Sequence, residues 1–181
     1  MKKLLLIILA VIVVLALWTV GQYNSLIAGK ANVDKAWADV QVQYQRRSDL
    51  VPQLVATVSG VANFEKSTLT QVVEARAKAT STTVNVSDAA SLQQFDASQQ
   101  ELSGALSRLL VTMEAYPQLT ASKSFQDLQA QLEGTENRIG VARGDFNAAA
   151  TVWNASTLQF PKIFIARLFG FEKVALFAAQ A

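Results

Sequence analysis

The 181-residue chain contains no cysteine and no histidine. Without cysteine it can form neither a disulfide nor a thiolate metal site. Without histidine it lacks an imidazole base, a histidine-based metal site and the Ser-His-Asp triad. A serine–lysine dyad is also disfavoured, because Lys66-Ser67 and Ser122-Lys123 are sequence neighbours, and adjacent side chains on a helix point apart. We therefore expect no cofactor, no metal and no enzymatic activity.

An excess of charge is also lacking. The chain has 16 Lys+Arg and 14 Asp+Glu, a net charge of +2, and Lys2 and Lys3 supply both extra charges. From Tyr23 onward basic and acidic residues balance, and no basic patch with interleaved aromatic residues occurs. The sequence therefore does not predict binding to nucleic acid.

Hydrophobic residues are concentrated at the N-terminus, where the run Leu4 to Val20 carries no charge. A membrane span needs about 20 apolar residues, and 17 is near the lower limit. Trp18 and Tyr23 lie where an interfacial aromatic belt falls. A cleaved signal peptide is the alternative, but its apolar region is shorter and ends in small residues rather than Leu17-Trp18. We predict a single-pass anchor at residues 1–22 that contacts the lipid bilayer.

Orientation follows from the basic residues that flank this span. Lys2 and Lys3 adjoin it directly, whereas Lys30 and Lys35 are the nearest basic residues on the other side. Because Lys and Arg are enriched on the cytoplasmic side, this distribution favours a cytoplasmic N-terminus. The body would then lie outside the cytoplasm, attached to the cytoplasmic (inner) membrane.

Residues 23–161 show helical periodicity and few prolines, which predicts an all-α body. The first predicted helix runs from Tyr23 to Val61. Its apolar residues recur at alternating steps of four and three residues and form a row along one face, which we call a seam. Pro52 lies within this seam. Because the steps of three and four residues continue across Pro52 without a shift, we expect one kinked helix rather than two helices. The seam comprises Val33, Trp37, Val40, Tyr44, Arg47, Val51, Leu54, Val58 and Val61.

Three further helices are predicted: Glu65 to Ala79, Ala89 to Ala115, and one that begins at a cap among Thr120, Ser122 and Ser124 and ends at Phe160-Pro161. Because the connections are short, consecutive helices should be antiparallel neighbours. We predict an elongated antiparallel four-helix, coiled-coil-like bundle after the transmembrane helix. The expected buried positions are Leu69, Val72, Val73 and Ala79; Leu92, Phe95, Gln99, Leu102, Leu106, Leu109 and Met113; and Phe125, Leu128, Leu132, Thr135, Ile139, Ala142, Phe146, Ala149 and Trp153.

Four antiparallel passes would return the chain to the membrane at residues 162–181, an amphipathic tail. Two interpretations of this tail stay open. It can lie in the membrane interface, as aromatic and basic residues favour, or it can pack against the end of the bundle. The candidate interfacial residues are Phe164, Arg167, Phe169, Phe171 and Lys173.

Each predicted seam contains a polar member: Arg47, Gln99, Thr135 and, on the short helix, Arg76. Polar seam residues fix register in coiled coils, and a polar groove or partner site is the functional alternative. Glu136 is the expected partner of a buried Arg47, and Arg46 and Asp49 are spaced as an i,i+3 pair. The other candidates for this region are Arg138 and Arg143.

Two asparagines follow aromatic residues on the fourth helix, at Phe146-Asn147 and Trp153-Asn154. Their spacing of seven places both on one helical face. We expect them to satisfy polar groups beside aromatic packing.

Several short blocks follow one another in order along the chain: Tyr23-Asn24, Ala36-Trp37, Arg46 to Val55, Ala75-Arg76, Tyr116-Pro117, Thr135 to Ile139, Ala142-Arg143, Asn147, Phe160-Pro161 and Gly170-Phe171. In these blocks the sequence resembles the LemA family of bacterial membrane proteins. Phe146 and Trp153 stand where that family usually has tyrosine, so only aromatic packing is expected of them. The resemblance implies one N-terminal transmembrane helix, a helical body, no established enzyme activity and an association with membrane organisation.

Two functional hypotheses follow. The first is a membrane-anchored scaffold or adaptor of the bacterial envelope, whose helical body holds an unidentified membrane or envelope protein or self-associates. The second is a sensor of a small ligand or of envelope stress, with a polar cavity between helices near Arg47 and Gln99.

Overall fold

A computed structural model describes residues 2–60 and 65–178, and the regular secondary structure of this part is helical. The predicted seam position Val61 lies outside the described residues. The all-α prediction is confirmed for the remainder. The helices are α1 (Lys2–Ser59), α2 (Lys66–Ser81), α3 (Ala89–Met113), α4 (Pro117–Thr120), α5 (Lys123–Leu158) and α6 (Lys162–Leu168).

The apolar N-terminal run and the first helix of the body form one continuous helix. α1 has 58 residues, which corresponds to about 87 Å at 1.5 Å per residue. It passes through the predicted boundary at residue 22 without interruption. An 18-residue window within it has a mean hydropathy of 3.0 and is not buried against the rest of the chain. α1 is thus long and apolar enough to cross a membrane, which indicates an N-terminal anchor.

Pro52 lies inside α1 without ending it, so the predicted single helix is confirmed. Because proline has no N–H, the carbonyl of Ser48 loses its usual donor within the helix. Nε of Arg76 on α2 donates a hydrogen bond to this carbonyl at 2.9 Å. A side chain of the next helix therefore replaces the donor that Pro52 removes, and it joins α2 to α1 at this point.

The long helices pack in pairs, α1 along α5 and α2 along α3. α1 and α5 run antiparallel, because Gly29 contacts Trp153 whereas Arg47 contacts Glu136. A Cβ atom at Gly29 would lie 3.2 Å from the indole of Trp153, so glycine permits this close approach. The α2–α3 pair joins consecutive long helices as predicted, whereas the α1–α5 pair joins the first and the last. The arrangement of the helices as one antiparallel four-helix bundle stays a prediction.

The apolar core consists of two clusters on either side of a polar layer. One contains the Leu50 to Val58 face of α1 with α2, α4 and the adjoining parts of α3 and α5. The other contains the Leu26 to Tyr44 face of α1 with Phe146, Trp153 and the C-terminal residues. Arg47, with only 2% of its surface exposed, lies between them.

Most predicted seam positions are buried. All seven predicted positions on α3 are buried. On α5, Ala149 is the one predicted position that is only half-buried, and its neighbour Ala150 is buried. Val73 of α2 was predicted to be buried, but it is exposed. α2 buries Thr68, Val72, Ala75 and Ala79, and Val73 lies about 100° around the helix from Val72.

Side chains cap the starts of α3 and α5. The Asp88 side chain accepts a hydrogen bond from Ala90 N at the start of α3, and Ser122 Oγ, one of the predicted caps, accepts one from Phe125 N at the start of α5. α3 ends at Met113, two residues before the predicted Ala115, and Pro117 opens the short helix α4, which was not predicted. Proline suits a first helical turn because its missing N–H has no helical partner there.

We expect Arg76→Met to lower the free energy of unfolding by about 1–2 kcal/mol, because it leaves the Ser48 carbonyl without a donor. In a Pro52→Ala background the same substitution should cost less, since the introduced alanine supplies the missing N–H. Chemical unfolding of the four detergent-solubilised proteins, followed by circular dichroism, measures both costs. Equal costs in the two backgrounds would contradict this account of Pro52.

Candidate functional site

Three side chains from three helices meet in the polar layer: Arg47 of α1, Gln99 of α3 and Glu136 of α5. We call them the Arg47 cluster. Nη1 of Arg47 donates to Oε1 of Glu136 at 2.8 Å. Nη2 donates to Oε1 of Gln99 at 2.7 Å and to its backbone carbonyl at 3.0 Å. The predicted pairing of Arg47 with Glu136 is confirmed.

Gln99 extends this cluster to a fourth helix. Its Nε2 donates to the backbone carbonyl of Ala79, near the end of α2, at 3.1 Å. Nη1 and Nη2 of the buried Arg47 are thus bound by α5 and α3 respectively, and the buried Gln99 amide is bound by α1 and α2. Sliding one helix by a residue would break these bonds inside the core, where an unpaired charge is strongly destabilising. This arrangement agrees with a role in fixing helix register.

A second ionic cluster contains Arg143, Asp96 and Tyr44. It lies one to two helical turns nearer the apolar run of α1 than the Arg47 cluster does. Nη1 and Nη2 of Arg143 donate to the two carboxylate oxygens of Asp96 at 2.6 and 3.3 Å. Nη1 also donates to the Tyr44 hydroxyl at 3.3 Å. Both ionic partners are largely buried. We call this group the Arg143 cluster.

Electrostatics in the Arg143 cluster favour a protonated phenol and a charged guanidinium. Burial raises the pKa of Tyr44 above its ordinary value of 10.0, although the nearby charge of Arg143 opposes this shift. For Arg143, burial acts to lower the pKa, but Tyr44 and Asp96 outweigh it and raise the pKa above its ordinary value. Neither group is therefore poised to exchange a proton near neutral pH.

The ring of Tyr44 connects the two clusters. The Arg47 guanidinium lies 5.1 Å from its ring centroid, and its hydroxyl accepts from Arg143. Both guanidiniums are bound to carboxylates, which leaves neither free for a substrate anion. Within residues 2–60 and 65–178, no three acidic side chains are grouped to hold a metal ion.

Asn147 and Asn154 bind the backbone of residues 171–178, which we call the C-terminal segment. Asn154 donates to the Val174 carbonyl and accepts from the Val174 N–H, both at 2.8 Å. Asn147 makes the same two bonds with Phe177, at 3.0 and 2.9 Å. The predicted polar role of these asparagines is confirmed, and their partner is an extended, non-helical segment.

Further contacts cover the C-terminal segment on both sides. Trp153 Nε1 donates to the Glu172 carbonyl at 2.9 Å, and Ala175 N donates to the Val86 carbonyl at 2.8 Å. The side chains of Val174 and Phe177 are buried. Phe177 also lies over Arg143, with the guanidinium 4.3 Å from its ring centroid. The segment therefore covers one side of the Arg143 cluster.

The tail thus divides into two parts. The C-terminal segment packs on the body, and the predicted interfacial residue Phe171 is half-buried between Tyr23 and Trp153, with ring centroids 5.8 and 5.6 Å away. The other predicted interfacial residues, Phe164, Arg167, Phe169 and Lys173, are exposed.

α6 lies beside the end of the apolar run of α1. Lys162 Nζ donates to Ser25 Oγ at 2.9 Å, and the rings of Tyr23 and Phe169 are 4.7 Å apart. Ile165 and Ala166 face the core. The opposite side of this region exposes four large apolar residues: Phe160, Phe164, Leu168 and Phe169.

The remaining predicted polar residues lie outside the two clusters. Arg46 and Asp49 are exposed, and the predicted pair between them is wrong, because Asp49 accepts from Gln45 at 2.7 Å and forms no ion pair among the described residues. Arg138 is exposed and donates to Thr135 Oγ1 at 3.3 Å. Thr135 is fully buried, and its hydroxyl donates to the Gln131 carbonyl of its own helix.

Cavities beside the Arg47 cluster are small. One of about 150 Å³ is lined by Tyr44, Ser48 and Gln99, and another of about 100 Å³ by Arg47, Gln99 and Arg143. A larger groove of about 440 Å³ lies between α3 and α5, lined by Ser103, Leu106, Ser107, Leu110, Leu132, Glu133, Glu136 and Asn137. Glu136 belongs to both the groove and the Arg47 cluster.

Asp96 is the functional residue that sequence reasoning missed. Asp96 directly follows the seam residue Phe95. A residue next to a seam position normally faces away from the contact between two helices. Asp96 is buried because Arg143 of α5 binds its carboxylate. The one available signal was charge: Arg143 adjoins seam residue Ala142 and needed an acidic partner.

Comparison with known proteins identifies one family. The sequence model of the LemA family matches residues 36–181. Protein LemA of Metamycoplasma hominis is 26% identical over 162 residues, which cover 89% of this chain and 71% of that protein. LemA proteins are not known enzymes.

Shorter matches involve magnetosome proteins. MamQ of Magnetospirillum gryphiswaldense is 32% identical over 73 residues, which cover 40% of this chain and 27% of that protein. MamQ 1 of Paramagnetospirillum magneticum gives the same values. These similarities are therefore confined to part of each protein.

We expect Arg47→Met and Glu136→Gln to be non-additive, with a coupling free energy of about 1–3 kcal/mol. The reason is that either substitution alone leaves a buried or half-buried partner unpaired. Denaturant unfolding of both single variants and the double variant gives the coupling. The exposed i,i+4 pair Lys123 and Asp127, 3.8 Å apart, is the control and should give coupling near zero. Additive effects at Arg47 and Glu136 would contradict a mutual role in the core.

Proposed function

Because the chain belongs to the LemA family, we propose that it is a membrane-anchored scaffold that holds a partner protein at a set distance from the bilayer. Its body acts as one antiparallel four-helix bundle. The observation that carries this proposal is the continuity of α1 from Lys2 to Ser59. A scaffold of this kind needs a rigid connection between anchor and body, and it needs no catalytic group.

The length of α1 defines the reach of this scaffold. The 39 helical residues that follow Val20, the end of the apolar run, up to Ser59 span about 58 Å. Pro52 is the one proline in α1, and Arg76 satisfies the carbonyl that it frees. The body therefore extends from the membrane as a stiff rod rather than on a flexible linker.

Localisation follows from the same helix and its flanking charges. We propose that the span lies in the cytoplasmic (inner) membrane of a bacterium, with Lys2 and Lys3 on the cytoplasmic side and the body on the other. The similarity to magnetosome proteins supports a role at a membrane. A cysteine introduced at Thr83 in the loop after α2 would report the orientation through membrane-impermeant labelling.

The groove between α3 and α5 is the proposed partner site. It combines leucine side chains with a polar rim that includes Glu133 and Asn137. Apolar surface with a polar rim is typical of sites that bind another protein. The groove lies on the part of the body far from the apolar run of α1, where an envelope protein can reach it.

α6 supplies a second contact with the bilayer. Its exposed face carries Phe164 and Leu168, with Phe160 and Phe169 at its ends, and it lies next to Tyr23 and Ser25. Those two residues follow the apolar run by three and five positions. Arg167 and Lys173 are exposed nearby and suit the headgroup region. We propose that this face inserts into the membrane interface and restrains the tilt of α1.

The alternative of a small-ligand or envelope-stress sensor has less support. The cavities beside Arg47 and Gln99 measure about 150 and 100 Å³, whereas small-molecule sites usually have about 300–1,000 Å³. Both clusters are also occupied by their own ionic contacts. A ligand would have to break these contacts before it could bind.

The scaffold proposal predicts that photo-crosslinking residues at Ser107 and Asn137, both in the groove, capture the same partner in living cells. Exposed Val42 on α1 and Val73 on α2 do not line the groove and serve as controls. Crosslinked products are identified by mass spectrometry. Equal products from all four positions, or none from the groove, would contradict the proposed partner site.

The proposed contact of α6 with lipid predicts a difference between equally exposed positions. Because the chain has no cysteine, Phe164→Cys and Val141→Cys can each be labelled uniquely with a fluorescent dye. The native side chains are 64% and 65% exposed. After reconstitution into vesicles, nitroxide-labelled lipids should quench the dye at 164 and not at 141. Equal quenching at both positions would exclude an interfacial α6.

A further inference from the structure

The C-terminal segment is held mainly through its backbone. Asn147 and Asn154 each form two hydrogen bonds to a single residue, Phe177 and Val174 respectively. An asparagine amide that donates to a carbonyl and accepts from an N–H presents the same two groups as a neighbouring β-strand. The body therefore offers a site that recognises an extended peptide.

The spacing of this site matches an extended chain. Seven helical residues separate Asn147 from Asn154 and correspond to about 10.5 Å. Three extended residues separate Val174 from Phe177 and correspond to about 9–10 Å. The distance between the two asparagines on one face of α5 thus matches the distance between residues i and i+3 of an extended peptide, so both amides can bind the same peptide.

Side-chain pockets add selectivity to this backbone recognition. Phe171, Val174 and Phe177, three residues apart, face the body, whereas Glu172, Lys173 and Leu176 between them are exposed. Phe177 stacks near Trp37 and Phe146, with ring centroids 6.1 and 5.6 Å away. The site therefore fits an extended peptide with an apolar residue at every third position.

Gly170 separates this segment from α6. Its φ of +70° lies in the left-handed region, and a Cβ there would meet nothing within 4 Å. Glycine is thus favoured for its backbone conformation rather than for space. A change of φ and ψ at this residue redirects the whole segment and leaves α6 in place.

We propose that this site also accepts the C-terminal segment of a second copy of the chain, so that two anchored copies exchange segments reciprocally. The contacts in the exchanged dimer are the same as those within one chain, so little contact energy separates the two states. Exchange of an identical element is a low-cost route to dimers when a hinge is present.

Membrane anchoring favours this exchange. Two spans in one bilayer hold both copies at the same height, so their segments and sites lie at matching levels. Confinement of this kind raises the effective concentration of each segment at the partner's site. Val174, the first residue that pairs with an asparagine, lies four residues after Gly170, so at most about 13–14 Å of chain joins the hinge to the partner's site, and exchange requires the two bodies to be in contact near Gly170.

The absence of cysteine allows a direct test. Val86 and Ala175 are joined by a backbone hydrogen bond of 2.8 Å, and both are half-buried. Two differently tagged full-length copies are co-expressed, one with Val86→Cys and the other with Ala175→Cys, and their membranes are oxidised. We expect a disulfide-linked heterodimer that carries both tags, since only an exchanged segment brings these two cysteines together.

Two matched variants control the interpretation. A chain carrying both Val86→Cys and Ala175→Cys should form an intrachain disulfide, which checks the geometry of the site. A copy with Leu176→Cys, whose native side chain is exposed, replaces the Ala175→Cys copy to measure random collisions. The heterodimer should be abundant with Ala175→Cys and weak with Leu176→Cys.

Two results would overturn the proposal: no heterodimer although the chain with both cysteines forms its disulfide, or equal heterodimer with both tail cysteines. The inference uses the proposed function only for membrane anchoring. Retention of the chain in the membrane after an alkaline wash tests anchoring separately. An anchored chain without exchange would therefore leave the scaffold proposal intact.

Discussion

The charged side chain of Arg47 lies between the two apolar clusters of the helical body with 2% of its surface exposed. A buried guanidinium without partners is strongly destabilising, so the surrounding helices must supply acceptors in fixed positions. Glu136 and Gln99 do so from α5 and α3, and Ala79 of α2 satisfies Gln99 in turn. Leucine and valine contacts in the two apolar clusters tolerate small shifts of register, whereas such a shift would break the hydrogen bonds of the buried Arg47. The alignment of the anchor with the rest of the body follows from these bonds.

Elsewhere in the structure, side chains take the place of missing backbone hydrogen-bond partners. Arg76 provides the donor that Pro52 removes from α1, and Asn147 and Asn154 provide the pairing that an extended segment lacks outside a sheet. Both devices let an irregular backbone lie against helices without unsatisfied polar groups. They also explain how an all-helical body can hold a non-helical segment over the Arg143 cluster.

The sequence predicts the long helices and most buried positions, because their apolar residues repeat at a period close to that of the helix. It also predicts the pairing of Arg47 with Glu136, since both lie at or beside seam positions. Asp96 was missed because its burial depends on Arg143 from a distant part of the chain. The path of residues 171–178 was left open for a similar reason. Its packing is decided by Asn147 and Asn154 some 20 to 30 residues earlier, and local periodicity carries no information about such contacts.

The absence of a joint between span and body has a mechanical consequence. Bilayers of different thickness change the tilt of a transmembrane helix. In this chain α1 continues from the apolar run to Ser59, so tilting the span also swings the body. A tilt of roughly ten degrees displaces the far end of α1 by about 10 Å, given its reach of about 58 Å. A helix without a joint acts as a lever, so a change of tilt at the apolar run becomes a larger movement at the far end of α1.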